Sequence, residues 1–319
     1  MVANIYLIYN PISGQGDPAE QRSRIEQRLG ERLNLTVFET TPDETAEQLA
    51  EKAIAQGAEG IVASGGDGTV SAVAGKLVNT EIPLGIIPRG TANAIAAAFG
   101  ISDDIDGACD TILSGIPRNV DVGICNGKPL LLLAGIGLEA NVIEQANRQL
   151  KDKLGTAAYI LSAFQQVREI GRFHVELETD DRIISVDASG ITVANVAPAT
   201  SVLAQGPADV VPFDGLLDVT IFAPEGTGGA IAASYNLFQT AMNKRSSKRE
   251  DIGYFRCSAL TIKTDSPQKV VLDGEMEGET PIEIRCIHKG LVLMTPEEGN
   301  FDPPEKLEGL PNLKIQYKS

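Results

Sequence analysis

Ser64-Gly65-Gly66-Asp67-Gly68-Thr69 sets three glycines, an acid and two hydroxyls between an apolar run and a stretch where Val70, Val73, Ala74, Leu77 and Val78 recur at helical spacing. A strand-to-helix turn of this composition suits phosphate. Glycines let backbone N–H groups approach the oxygens, and the helix N-terminus adds partial positive charge. Asn10-Pro11-Ile12-Ser13-Gly14-Gln15-Gly16 and Pro88-Arg89-Gly90-Thr91-Ala92-Asn93 follow two other apolar runs. Each motif alone is compatible with an ordinary tight turn, but three polar glycine turns at the carboxyl edge of one sheet favour a nucleotide cleft. Arg89 is read either as a group that neutralises phosphate charge or as a solvated loop arginine. Asp273-Gly274-Glu275 adds two carboxylates. The chain has only His174 and His288 as histidines, neither in a recognisable constellation, so a carboxylate is the better candidate base for hydroxyl chemistry. An acidic β-turn is the competing reading of the same tripeptide.

The elements that must position these residues are legible in the first third of the chain. Ile5 to Tyr9, Leu35 to Glu39, Gly60 to Ala63 and Leu84 to Ile87 are short apolar runs suited to buried parallel strands. Asp17 with Pro18 marks one helix start, and Thr41-Pro42-Asp43-Glu44 has the form of a capping box opening a second helix. In that second helix Ala46, Leu49, Ala50, Ala53 and Ile54 share a face, and Gly57 closes it. Alternating strand and helix predict a doubly wound parallel sheet. Near residue 120 the pattern changes: Asn126-Gly127 between apolar runs is a hairpin signal, and many short strand-like runs follow as far as Leu291 to Met294. Helical insertions are expected around Ala140 to Ile170 and Gly229 to Met242. The expected architecture is therefore α/β plus mostly β. An N-terminal nucleotide-binding domain spans 1–124, an antiparallel β-sandwich domain for the substrate spans 125–295, and the tail 296–319 packs back on the first domain.

The 319 residues carry 43 acidic and 27 basic side chains, a formal charge of -16, which repels nucleic acid and anionic surfaces as a whole. No nucleic-acid partner is expected. The scattered cysteines Cys109, Cys125, Cys257 and Cys286 have no metal-ligand spacing and read as reduced thiols of a cytoplasmic protein. No run approaches the roughly 20 apolar residues of a membrane span.

The order Asn10-Pro11-x-x-Gly14, Gly65-Gly66-Asp67-Gly68-Thr69, Gly90-Thr91-x-Asn93, Gly135-x-Gly137 and Asp273-Gly274-Glu275 resembles the diacylglycerol kinase catalytic family, which includes bacterial lipid kinases and sphingosine kinases. The Gly-Gly-Asp-Gly-Thr element is shared with NAD kinases; the full set is more specific. The resemblance implies ATP and Mg2+ as cofactors and a lipid hydroxyl as acceptor. It assigns Gly14, Gly66, Thr69 and Thr91 to the phosphate cradle and sets Thr41 near the nucleotide. Asp67 and Asp273 join the acidic catalytic group, Glu275 is the general base, and Asp214 with Leu216 marks a structural magnesium site. One departure is Ala94, where many bacterial relatives carry aspartate; Glu139 likewise stands where aspartate is commoner.

A lipid acceptor implies work at the inner membrane surface, as one chain or a homodimer. Ile231, Tyr235, Leu237 and Phe238, followed by Lys244-Arg245-Ser246-Ser247-Lys248-Arg249, have the form of an interfacial contact; a core helix with a solvated loop is the alternative. Two other functions compete: an NAD kinase, and a nucleotide- or lipid-binding regulator without turnover.

Overall fold

The computed structural model describes residues 3–138, 140, 171–197, 210–242, 247–296 and 312–317, and the chain divides into two compact units. The first comprises 1–122 and 288–300, the second 123–287 and 301–319. The expected boundary at 124 falls two residues from the observed one. The expectation for the tail is corrected: what returns to the first unit is 288–300, whereas the terminal strand Lys314–Tyr317 pairs antiparallel in the second. Leu313 and Ile315 pack there against the sandwich core, which is the physical reason.

The first unit runs β1 (Asn4–Tyr9), α1 (Pro18–Gly30), β2 (Asn34–Glu39), α2 (Ala46–Ala55), β3 (Gly60–Gly65), α3 (Asp67–Leu77), β4 (Leu84–Pro88), α4 (Ala94–Ala98), α5 (Ile105–Ser114) and most of β5 (Ile116–Cys125). Its parallel strands lie in the order β2-β1-β3-β4. Arg24 and Arg28 of α1 pair with Asp106 and Asp110 of α5, while Lys76 of α3 reaches Glu47 and Glu51 of α2. These pairs join α1 to α5 and α2 to α3. Successive strands depart from β1 in opposite directions, so the switch in strand order lies between β1 and β3, where open α/β sheets bind ligands.

Local chemistry explains the helix ends. Asp17 accepts from the Ala19 and Glu20 amides ahead of Pro18, as its sequence position predicts. The capping box of α2 sits one turn later than expected: Thr45 and Gln48 exchange bonds, and the helix begins at Ala46. Thr41 instead closes a turn, its Oγ1 accepting from the Asp43 and Glu44 amides at 3.3 and 3.0 Å. Gly57, at φ 79°, ends α2 as anticipated.

The second unit begins with the hairpin β5–β6 (Lys128–Leu130), whose Asn126 and Gly127 both have positive φ, 46° and 84°. It continues with β7 (Leu133–Gly137), β8 (Phe173–Thr179), β9 (Arg182–Ala188), β10 (Gly190–Ala194), β11 (Leu217–Phe222), a helix Gly226–Met242, β12 (Ile252–Cys257), β13 (Ala259–Thr264), β14 (Lys269–Leu272), β15 (Glu275–Glu279), β16 (Ile282–Thr295) and β17 (Lys314–Tyr317). One antiparallel sheet runs β12-β11-β10-β7-β14-β15. The other contains β17-β9-β8-β13 and the first half of β16, whose second half pairs in the first unit, Leu293 opposite Leu84. Alternating residues fill the core between the sheets: Val175, Leu177, Ile184 and Val186 from one, Ile136, Val193, Val219 and Ile221 from the other. The helical insertion expected at 140–170 and Glu139 lie outside the described residues. Among the described residues no helix is long and apolar enough to cross a membrane.

Candidate functional site

In the first unit the three glycine turns converge at the carboxyl ends of β1, β3 and β4. Registers Tyr9–Ser64 and Gly65–Pro88 align the strand ends, so the chain leaves all three strands at one level. Asn10 binds the next turn twice: its N–H donates to Ser64 O at 2.9 Å, and its Nδ2 donates to Thr69 Oγ1 at 3.0 Å. Thr69 packs back on Gly65, where a Cβ would stand 2.5 Å from Thr69 Oγ1. A Cβ on Gly90 would lie 2.6 Å from Gly66 Cα, so these two turns touch backbone to backbone and only glycine fits at position 90. Asn93, left-handed at φ 48°, accepts the Gly90 N–H at 2.6 Å. Gly66 begins α3 with no side-chain cap, leaving its first turn of amides to other acceptors.

Asp67 and Arg89 have structural partners that sequence did not foretell. Asp67 Oδ1 accepts from the Ile95 N–H at 2.9 Å, tying the start of α3 to that of α4. Arg89 is 5 % exposed. Its Nη1 and Nη2 donate to the carbonyls of Asn10 and Ser13 at 3.0 and 2.7 Å, and its Nε donates to Gln21 Oε1 at 2.8 Å. The alternatives of free phosphate ligand and solvated loop arginine thus give way to a third role: Arg89 braces the Asn10–Gly14 loop from below. No carboxylate among the described residues pairs with it, and burial pulls its pKa down, opposed by Tyr9. A buried cation without a carboxylate partner favours an anion close to it. The glycine cradle and this charge fit a nucleotide's phosphates. Gln21 also donates to Gln15 O at 2.6 Å; one polar residue in an amphipathic helix left no sequence signal for this role.

In the second unit Asp273 and Gly274 form a two-residue turn between β14 and β15, with φ of 48° and 91°. The acidic-turn reading therefore describes the local geometry. Asp273 Oδ1 accepts from Leu132 and Leu133 N–H at 2.8 and 3.0 Å, and Oδ2 from Leu131 N–H at 2.8 Å. Its carboxylate is committed to backbone, which makes it a positioning group. Glu275, opposite Leu272 on β15, is exposed. Nearby, Lys128 pairs with Glu277.

Asp214 accepts from Leu216 N–H at 3.0 Å and from Arg256 Nη1 at 2.7 Å. Four residues on, Asp218 is 2 % exposed and neither oxygen has a hydrogen-bond partner. Burial pushes its pKa up to about 8; Arg256 opposes the shift, Asp214 reinforces it, and the Val211 amide favours the charged form from outside bonding geometry. Among the described residues no group of three or more His, Cys, Asp or Glu gathers for a metal. A magnesium ion here would thus rely on Asp214, the orphaned Asp218 and backbone carbonyls such as that of Leu216, hard oxygen donors that suit it. An acid inside the apolar run Leu217–Phe222 was the available sequence signal for Asp218.

Of the basic run Lys244 to Arg249, residues 244–246 lie outside the described ones. Lys248 is exposed, and Arg249 pairs bidentately with Asp251 at 2.8 and 2.7 Å.

Fold and site together define a two-part kinase scaffold of the diacylglycerol kinase type. Residues 4–125 match the diacylglycerol kinase catalytic domain, and residues 133–295 match the YegS C-terminal NAD kinase beta sandwich-like domain. The chain belongs to the diacylglycerol kinase-like lipid kinase family. It is 42% identical over 306 residues to an uncharacterised protein of Synechocystis, covering 92% of this chain and 71% of that one. It is 26% identical to a diacylglycerol kinase of Bacillus subtilis, covering 92% and 96% of the two chains. A solved structure of a proposed diacylglycerol kinase from Bacillus anthracis superposes with a TM-score of 0.74 at 25% identity, covering 92% of this chain and 97% of that one.

Proposed function

We propose that this protein is an ATP- and magnesium-dependent lipid kinase that transfers the γ-phosphoryl group to a hydroxyl of a diacylglycerol-like or long-chain-base lipid. The observation that carries this reading is the Gly66–Gly90 backbone cradle over the buried, acid-free Arg89. In a family of lipid kinases, such a cradle is best used for a nucleotide triphosphate. The Gly14 N–H and the amides that open α3 hold phosphate oxygens, and Asp67 joins the acidic network around them. Magnesium, when bound, offsets phosphate charge. The acceptor oxygen attacks the γ-phosphorus, its proton passes to the Glu275 carboxylate, and the bond to the β-phosphate oxygen breaks to release ADP.

The acceptor is met at the cytoplasmic face of a membrane. Tyr235, 56% exposed on the helix Gly226–Met242, and the exposed Lys248 after it support this placement, whereas Leu237 is 0% exposed and belongs to the core, and the side chains of Ile231 and Phe238 lie outside the described ones. Replacing Lys244, Arg245 and Lys248 with glutamate is expected to weaken binding to anionic vesicles; unchanged binding would rule the contact out.

The central test is ADP release with magnesium in mixed micelles containing diacylglycerol, a sphingoid base or no lipid, with soluble NAD as a fourth arm. Stimulation by one lipid, lowered about 10²–10⁴-fold by Glu275→Gln, supports the proposal. Stimulation by NAD alone would establish the rival acceptor. ATP binding without turnover in every arm would establish the regulator.

A further inference from the structure

Leu131, Leu132 and Leu133 join β6 to β7 in the interior, 2%, 3% and 3% exposed. All six of their backbone polar groups have a traceable partner. The three N–H groups donate to the Asp273 carboxylate, and Leu133 O accepts from Asp273 N–H at 3.0 Å. The other two carbonyls turn to the end of β10. Leu132 O accepts from the Asn195 and Val196 amides at 2.7 and 3.0 Å, and Leu131 O accepts from Asn195 Nδ2 at 3.0 Å. Asn195 is 0% exposed. Asp273 and Asn195 therefore clasp one tripeptide from its two polar sides. Of the three carbonyls, that of Leu131 alone is satisfied by a side chain, the Asn195 amide.

We propose that Asn195 is a positioning residue for the Asp273-Gly274-Glu275 turn, acting through Leu131–Leu133 to fix where the Glu275 carboxylate stands. This rests on the reading of Glu275 as the base. The physical route is short. Without the Asn195 amide, Leu131 O is left buried and unpaired and must move to find a donor. The N–H of that same peptide, Leu132 N–H, is held by Asp273 Oδ1 at 2.8 Å, so a shift of this peptide pulls on the carboxylate whose left-handed backbone forms the turn. Glu275 follows two residues later, and a displacement near 1 Å at a reacting group is enough to cost on the order of a hundredfold in rate.

The test is a double-mutant cycle of Asn195→Ala with Glu275→Gln, reading kcat, KM for ATP and the thermal midpoint. Asn195→Ala is expected to lower kcat ten- to a hundredfold, on the order set by such a displacement, with KM for ATP within about twofold because the phosphate cradle belongs to the other unit. In the Glu275→Gln background the same change is expected to have less than about a twofold effect on residual turnover, since the group it positions is gone. An equal fractional loss in both backgrounds, or an unchanged kcat, overturns the inference. Full turnover by Glu275→Gln alone is a separate result that removes the base assignment and this inference with it. If Asn195→Ala fails to fold, Asn195→Ser, which keeps a smaller donor, is read by the same criteria.

Discussion

The guanidinium of Arg89 lies 4.1 Å from the centre of the Tyr9 ring, so the last residue of β1 forms the floor under the cation that holds the β1 loop. Tyr9 is itself anchored, its hydroxyl donating to Pro18 O at 2.6 Å at the start of α1. The stack replaces lost hydration with the ring's negative face.

Arg89→Met is expected to weaken nucleotide binding by about tenfold or more, because two loop bonds, the bond to Gln21 of α1 and the buried charge vanish together. Arg89→Lys keeps the charge without the planar fork and should fall between the two. Isothermal titration with a non-hydrolysable ATP analogue checks both, and equal affinity in all three proteins would contradict the bracing role.

The two glycines of the cradle are expected to differ in tolerance. A Cβ at Gly90 meets Gly66 Cα at 2.6 Å, whereas one at Gly66 meets Gly90 Cα at 3.3 Å. Gly90→Ala must therefore push the turns apart, and Gly66→Ala needs only a small adjustment. Nucleotide affinity should fall further for Gly90→Ala, by the same titration.

Asp273→Asn preserves the left-handed turn, which asparagine accepts, but replaces one acceptor oxygen with a donor facing amides. A loss of about 1–3 kcal/mol in urea unfolding is expected for leaving buried N–H groups unpaired. A change below about 0.5 kcal/mol would show that the clasp on Leu131–Leu133 is dispensable.

For Asp218, whose folded pKa of about 8 lies above its ordinary value of 3.8, the pH dependence has a definite sign. The folded state binds the proton more tightly, so the contribution is fully present below about pH 4 and is lost as pH rises towards 8. In chelator, the thermal midpoint should fall over that window. Asp218→Asn should flatten the fall and raise the midpoint near pH 8. Magnesium added to the parent protein at pH 8 should recover stability that it does not confer on Asp218→Asn. Identical melting profiles for the two proteins would remove Asp218 from any cation site.

The sequence by itself determined the architecture of the first unit and the family. Apolar runs, Asp17-Pro18 and Gly57 mark strands and helix ends because these signals act over one or two turns of chain. The glycine turns are legible for the same reason, since a tight turn constrains residue type locally. Only the tertiary structure decided what the polar residues in those turns do. Arg89 touches Gln21 and Tyr9, Asp67 holds Ile95, and Asp273 holds Leu131 to Leu133, across separations that no local pattern records. The shift of the α2 cap from Thr41 to Thr45 has a similar origin: both segments carry cap chemistry, and the turn closed by the Thr41 hydroxyl takes the first of them. The destination of the tail was likewise hidden, because Leu313 and Ile315 are apolar enough for either unit. The strand that receives them is remote in sequence, Ile315 lying opposite Ile184 of β9.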